Sequence, residues 1–135
     1  MPKPMRTRPV SAAQVRAYAA KAAEYAAAAA SELESERYIA ATSLAIHAAI
    51  NAADAVCGAR LGQRAAGEDH DQVLALLQQA GSDGITVEKE LRRLLPLKTK
   101  AEYEPDAVAP GIANKAVERA SRSVVVALAV AASTK

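Results

Sequence analysis

The stretch SERYIAATSLAIHAAINAADAVCG, residues 35–58, decides the fold of this chain. Its small and apolar residues continue without a helix breaker, which predicts one long helix. Because Ile39, Ile46 and Ile50 contribute to a broad apolar surface, neighbouring helices should cover this helix on several sides. We therefore expect it to lie in the middle of a helical bundle. A polar line runs down the same helix at spacings of three and four residues. Its members are His47, Asn51 and Asp54.

The composition is that of an all-α protein with a thin core. The chain has 135 residues, enough for one domain. Alanine dominates its 51% hydrophobic fraction, with 35 residues, while Phe and Trp are absent. Alanine is the best helix former, yet it buries little apolar area per side chain. We therefore predict an all-α, up-down bundle of four to five helices over residues 11–135. It should gain burial by forming a homodimer.

Charge and cysteine usage favour a cytoplasmic protein. The formal net charge of +2 is too small to demand nucleic acid as a partner. The single Cys57 cannot form an internal disulfide, so a reducing cytoplasm fits. Residues 1–10 carry prolines and basic side chains without an apolar run, so we expect a disordered basic arm and no secretory signal. The longest apolar run, residues 124–132, is shorter than the ~20 residues of a membrane span. No membrane association is expected.

Capping residues and prolines divide the rest of the chain. Ser11 should cap a first helix that ends near Glu34 and turns back into the central helix. Asp69 and Thr86 are expected caps of later helices, with the GSDG sequence of residues 81–84 as a turn between them. These later helices are predicted at residues 70–80, 87–102 and 110–132. Pro96 should kink or split its helix. No strand is predicted anywhere in the chain.

Several segments follow one another in a recognisable order. The small-residue helix and a glycine-bearing loop precede three further segments. These are GEDHDQVLALL (67–77), LRRLLPLKTKAEY (91–103) and ANKAVERASRSVVVAL (113–128). Over about residues 12–130 this order resembles the HEPN superfamily of prokaryotic helical domains. The resemblance implies a bundle of four to five helices, usually dimeric, with a role in RNA or nucleotide biology.

The resemblance also implies two alternative activities. Some HEPN proteins are metal-independent ribonucleases, several of them toxins. Others are inactive partners or substrate-binding modules, often for minimal nucleotidyltransferases. The ribonucleases carry an Arg followed after four to six residues by a His, often with a Tyr just beyond, near the end of the helix before the last. Here Tyr103 is present, but that segment has no His, and Lys98 or Lys100 stands where the Arg belongs. The absence of this His, with a Lys in place of the Arg, favours a non-catalytic module.

A second match to the ribonuclease spacing leaves an enzyme as the alternative. Arg64 is followed after five residues by His70, although this match lies in the glycine loop and Ala65 follows the Arg. In that hypothesis the chain is a metal-independent endoribonuclease. Arg64 steadies the phosphate charge and His70 acts as acid and base on the 2′-hydroxyl. Two His and one Cys do not supply a zinc site, so no metal and no cofactor is expected.

Two sets of side chains are candidate binding residues. The first is expected to line a polar cleft and comprises His47, Asp54, Lys98 and Tyr103. The second is expected to contact nucleic acid phosphates and comprises Arg92, Arg93, Lys115, Arg119 and Arg122. The alternative for the polar line is a satisfied contact with a neighbouring helix or with the second copy of a dimer. The alternative for the basic set is a solvated surface balanced by glutamates.

The predicted function combines these patterns. We expect a non-catalytic, HEPN-like module that dimerises and binds a partner protein or a nucleotide or RNA ligand. A nucleotidyltransferase in a toxin–antitoxin pair is a partner that the resemblance implies, with Tyr103 then presenting a hydroxyl for modification. A third hypothesis is a purely structural interaction protein, which predicts no pocket near the polar line.

Overall fold

The computed structural model describes residues 5–67 and 69–135 and confirms the all-α prediction. The chain is 78% helical, with six helices and one two-stranded sheet among the described residues. In chain order the elements are β1 (Thr7–Pro9), α1 (Ala12–Glu34), α2 (Tyr38–Leu61), β2 (Gln63–Ala65), α3 (His70–Gln78), α4 (Gly81–Leu94), α5 (Pro96–Tyr103) and α6 (Pro110–Ser133).

Helix α2 is the centre of the bundle, as its sequence predicts. It contacts every other helix as well as β2, and most of its side chains are buried. It begins at Tyr38 and ends at Leu61, three residues later at each end than expected. Its small residues allow close approach of the neighbouring segments. A Cβ at Gly58 would lie 2.6 Å from Val10 Cγ1 and 2.9 Å from Val15 Cγ2, so only glycine fits there.

Helices α1 and α2 form an antiparallel pair joined by a short turn. The Ser11 side chain accepts a hydrogen bond from the Gln14 N–H, and the Gln14 side chain accepts one from the Ser11 N–H. This capping box satisfies two donors that the start of a helix leaves free. The turn after α1 places Glu36 at a positive φ of 61°. The predicted bounds of α1 and the position of the turn are confirmed.

The predicted turn at residues 81–84 is wrong, because α4 begins at Gly81. Gly81 has a φ of +71°, which lets the chain reverse sharply after α3. Gly84 then packs against α3, where an added Cβ would lie 2.1 Å from the Leu77 carbonyl oxygen. Thr86 does not cap this helix; it lies within α4, and its hydroxyl donates to the Ser82 carbonyl.

Two further predictions about helix ends are confirmed. The Asp69 side chain accepts a hydrogen bond from the Asp71 N–H and so caps α3. Pro96 ends the preceding helix and opens α5, which divides the predicted segment 87–102 in two. Over residues 5–67 and 69–135 the bundle therefore has six helices where four to five were expected.

The predicted basic arm and the absence of strands need correction at the N-terminus. Residues 1–4 of that arm lie outside the described residues. Strand β1, however, pairs antiparallel with β2, and Val10 is buried against the core. This segment is ordered by contacts that are distant in sequence, which local patterns do not reveal.

The hydrogen-bond pattern explains how a proline fits in β1. The Val10 N–H donates to the Gly62 carbonyl, and the Ala66 N–H donates to the Arg6 carbonyl. Hydrogen-bonded pairs alternate with non-hydrogen-bonded pairs in an antiparallel ladder. Pro9, opposite Gln63, therefore occupies a position where the ladder needs no N–H.

Helix α2 has the length and composition of a membrane span, the one such helix among the described residues. Its most apolar window has a mean hydropathy of 1.3, and 56% of that window is buried inside the bundle. Core helices of soluble proteins have the same property, so this helix is weak support for a membrane protein. The fold is compatible with a soluble protein.

Candidate functional site

An open cleft of about 850 Å³ lies beside the first half of α2. Its other walls are α5 and the loop that leads into α6. This volume lies in the range of ligand sites in proteins. Side chains three to four residues apart on α2 face the cleft because the helical repeat brings them to one side. The side chains that matter below are Tyr38, Ile39, Ser43, His47, Glu102 and Val108.

A carboxylate between two basic groups forms the polar part of the cleft. Glu102 Oε1 lies 3.2 Å from His47 Nε2, and Glu102 Oε2 lies 3.9 Å from Lys98 Nζ. Oε1 is buried, and the described residues offer it no aligned hydrogen-bond donor. A buried acceptor without a donor is costly, so this oxygen favours the approach of a hydrogen-bond donor.

The His47 ring is held by helix α1. The rings of Tyr25 and His47 stack with centroids 5.6 Å apart and an interplanar angle of 30°. Lys21 Nζ lies 6.0 Å from the Tyr25 ring centroid on the same helix. The His47 side chain remains 43% exposed. It is therefore oriented by a neighbour and accessible from the cleft.

The rest of the predicted polar line does not reach the cleft. The Asn51 amide is buried and donates to the His47 carbonyl at 2.8 Å, so its own helix satisfies it. Asp54 lies seven residues beyond His47, about 10 Å further along the helix axis. Burial raises the pKa of Asp54 to about 6, and the positive charges of Arg64 and Lys21 oppose that rise.

The four residues predicted for a ligand cleft are thus only partly brought together. His47 lines the cleft, and Lys98 contacts it through Glu102. Tyr103 is 73% exposed at the end of α5 and is not part of the cleft lining. Sequence reasoning missed Glu102, although its position four residues after Lys98 indicates an ion pair on one helix face.

Carboxylates neutralise much of the basic set predicted to contact nucleic acid. Arg92 pairs with Glu88 on α4. From α6, Arg122 and Arg119 approach Glu90 Oε2 at 2.9 and 3.7 Å. The remaining two members, Arg93 and Lys115, are exposed and form no ion pair with the described part of the chain. This pairing favours the alternative of a solvated, balanced surface.

The residues of the ribonuclease alternative lie on different elements. Arg64 belongs to β2, where its Nη1 donates to the Ala65 carbonyl and its guanidinium carbon lies 5.9 Å from the Tyr18 ring centroid. His70 is the first residue of α3. Within residues 5–67 and 69–135, no hydrogen bond joins Arg64 to His70. A cleavage site made by two protomers stays a prediction.

The cysteine and the acidic residues do not suggest another reactive centre. Burial raises the pKa of the Cys57 thiol to about 12, and the nearby Asp54 carboxylate adds to the rise. Such a thiol is inert, because the thiolate is the reactive form. In the part of the chain that the structure describes, no three His, Cys, Asp or Glu side chains are grouped to hold a metal ion.

Comparison with known proteins adds no relative. The sequence matches no protein-family model, and no curated protein gives a significant match. A proposal for its function therefore depends on the cleft, on the surface charges and on the resemblance described from the sequence.

Proposed function

We propose that this chain is a non-catalytic helical module, similar to the binding modules of the HEPN superfamily, that takes a segment of a partner protein into the cleft beside α2. The observation that carries this proposal is the open cleft with the buried Oε1 atom of Glu102 and the exposed Ile39 together. Apolar walls with a few oriented polar groups are typical of binding sites.

The charges of the cleft favour a protein segment over a phosphate-bearing ligand. Glu36 and Glu102 both line it, while the nearby positive charges are already paired, Arg37 with Glu32 and Lys98 with Glu102. A phosphate would meet carboxylates there, whereas a backbone N–H or a basic side chain would find an acceptor. Apolar side chains of a partner can contact Ile39, which is 41% exposed.

The same geometry supports binding without catalysis. A His–carboxylate pair activates a nucleophile that is hydrogen-bonded to the His. Ser43 lies one turn before His47 and lines the same cleft. Among the described residues, however, no hydrogen bond joins Ser43 to His47. The His47–Glu102 pair is therefore better suited to recognise a donor than to activate a hydroxyl.

The proposal includes a homodimer in the cytoplasm. Val125 and Leu128 lie on the outer side of α6 and are 67% and 45% exposed. Two large apolar side chains one turn apart favour contact with an equivalent helix of a second copy. The partner that the resemblance suggests is a nucleotidyltransferase of a toxin–antitoxin pair, and the exposed Tyr103 hydroxyl is then accessible to it.

The binding proposal is tested with a photo-reactive residue in the cleft. Benzoylphenylalanine at position 39 should crosslink a partner protein in lysate of the natural host, whereas the same residue at Ile85 should not. Ile85 is a matched control because it is 46% exposed and lies on α4, outside the cleft. The captured protein is then purified and its affinity is measured.

The affinity measurement decides the outcome. Ser43→Trp fills the cleft and should weaken binding of the purified partner by about tenfold or more, with an unchanged circular dichroism spectrum. Equal crosslinking at positions 39 and 85 would contradict the proposal, and so would equal affinity of wild type and Ser43→Trp for the partner. If the partner is a nucleotidyltransferase, incubation with ATP should raise the intact mass of the chain, and Tyr103→Phe should abolish that rise.

A further inference from the structure

Two arginines lie directly opposite each other in the small sheet. The register of β1 and β2 pairs Arg8 with Arg64. This pair lies midway between the hydrogen-bonded pairs 6–66 and 10–62, so it is itself of the hydrogen-bonded kind, with Cα atoms about 5.5 Å apart. Directly opposed residues project from the same face of the sheet. Two like charges therefore lie on one face of the sheet, Arg8 exposed and Arg64 half-buried, an arrangement that is destabilising by itself.

The Arg64 side chain is held in place within this pair. Its guanidinium lies over the Tyr18 ring of α1, and its Nη1 donates to the Ala65 carbonyl. These contacts leave most of its five N–H donors free. Arg8 is exposed beside it. A guanidinium that is already oriented loses less conformational entropy when it binds a planar oxygen group.

Carboxylates compensate the charge of this pair only in part. Over residues 5–67 and 69–135, neither Arg8 nor Arg64 forms an ion pair within 4 Å. The Asp54 carboxylate, half-buried on α2, interacts electrostatically with Arg64. By contrast, other arginines of the described chain are paired with Asp or Glu. These are Arg37, Arg60, Arg92, Arg119 and Arg122.

We propose that Arg8 and Arg64 together bind a phosphate group, supplied by a nucleotide or by the backbone of single-stranded RNA. A phosphate accepts hydrogen bonds from both guanidiniums and removes the repulsion between them. Arginine suits this role because its fork of donors matches phosphate oxygens. This site is separate from the cleft and does not include His70. In this proposal Arg8 and Arg64 contact the phosphate, and the paired arginines of α4 and α6 do not.

The site is tested by fluorescence anisotropy with two probes, a short labelled oligouridylate and a labelled ATP analogue. Arg8→Gln and Arg64→Gln should each weaken binding by about tenfold and lower the dependence of log affinity on log salt by about one. Arg93→Gln removes an exposed, unpaired arginine of α4 and should leave affinity unchanged.

Each outcome of this experiment has a definite meaning. Binding of the oligouridylate alone identifies RNA as the source of the phosphate, and binding of the ATP analogue alone identifies a nucleotide. Binding of neither probe, or equal weakening by Arg93→Gln, overturns the proposal. Circular dichroism checks that each variant is folded. If Arg64→Gln does not fold, the affinity of Arg8→Gln decides the test, because Arg8 is exposed. Failure here leaves the cleft proposal untouched, since the crosslinking test involves none of these arginines.

Discussion

The two ends of α2 differ in the charged groups around them. At its start, Glu36 and Glu102, which is paired with Lys98, line an open cleft that also exposes Ile39. At its end, the exposed Arg8 lies opposite the half-buried Arg64 on the two-stranded sheet. A net charge near zero therefore conceals two local surfaces, one suited to a donor-bearing protein segment and one suited to phosphate. The amino-acid composition sums the charges of the two surfaces, so the net charge indicates neither surface.

The largest expected effect concerns Asp54, which lies between these two ends. Its pKa is about 6 in the fold and 3.8 in the unfolded chain, because burial disfavours the charged carboxylate. The folded state therefore binds this proton more tightly, and its contribution to stability is lost as pH rises from about 4 through about 6. At neutral pH the ionised form costs up to about 3 kcal/mol.

Replacing Asp54 by Asn removes this dependence. Urea unfolding at a series of pH values should show the variant more stable than wild type above about pH 6, with the difference vanishing near pH 4. A variant that is less stable at every pH would mean that the carboxylate makes stabilising contacts with Arg64 and Lys21 that outweigh its burial. Such a result would mean that Asp54 compensates part of the positive charge at the sheet end of α2.

The next effect tests whether the end of α2 beside the sheet is independent of its start beside the cleft. Gly58→Ala places a methyl group against Val10 and should lower the free energy of unfolding by about 2 kcal/mol. Thermal unfolding measures this loss, and the double variant Gly58→Ala/Val10→Ala should recover part of it. Because the cleft is distant from Gly58, partner binding should persist. Loss of partner binding in a folded Gly58→Ala chain would contradict the independence of the two ends.

A smaller effect on stability but a clear effect on assembly is expected on α6. Leu128→Glu places a charge on the exposed apolar surface and should convert the proposed dimer into a monomer in light-scattering chromatography. Ile85→Glu on α4 is the matched control, since Ile85 is equally exposed. A wild-type chain that is already monomeric would remove the dimer from the proposal.

No effect at all is expected from the last change. His70→Ala should leave RNA cleavage at the background level of wild type, because no hydrogen bond joins Arg64 to His70 in the described chain. A gel assay with labelled RNA measures this. Cleavage by wild type that His70→Ala abolishes would favour the endoribonuclease alternative and would make the sheet end a catalytic site.

Helix ends were predicted correctly where the residues that determine them lie within a few positions of one another. The Ser11 capping box, the Asp69 cap and Pro96 each act within a few residues, so the sequence alone shows where those helices begin or end. The turn predicted at residues 81–84 failed because Gly84 serves a contact with Leu77 of α3 rather than a change of direction. The role of that glycine depends on a neighbour that pattern reasoning does not place.

The candidate sites were less predictable for the same reason. The hypothesis named His47, but its partner Glu102 is 55 residues later and meets it only because α5 folds back beside α2. Arg8 and Arg64 were likewise brought together by the register of a sheet that no local pattern indicates. Binding sites join segments that are distant in sequence. A single sequence therefore shows candidate residues more readily than it shows which of them lie together.

The alanine-rich centre of α2 reverses the usual sensitivity of a protein core to mutation. Ala45, Ala49 and Ala52 are completely buried, so truncation has almost nothing to remove at these positions. Enlargement, by contrast, must push two helix backbones apart along much of their length. Random mutagenesis of this chain should therefore find its least tolerant positions among its smallest side chains, and natural drift at those positions should be confined to glycine, alanine and serine.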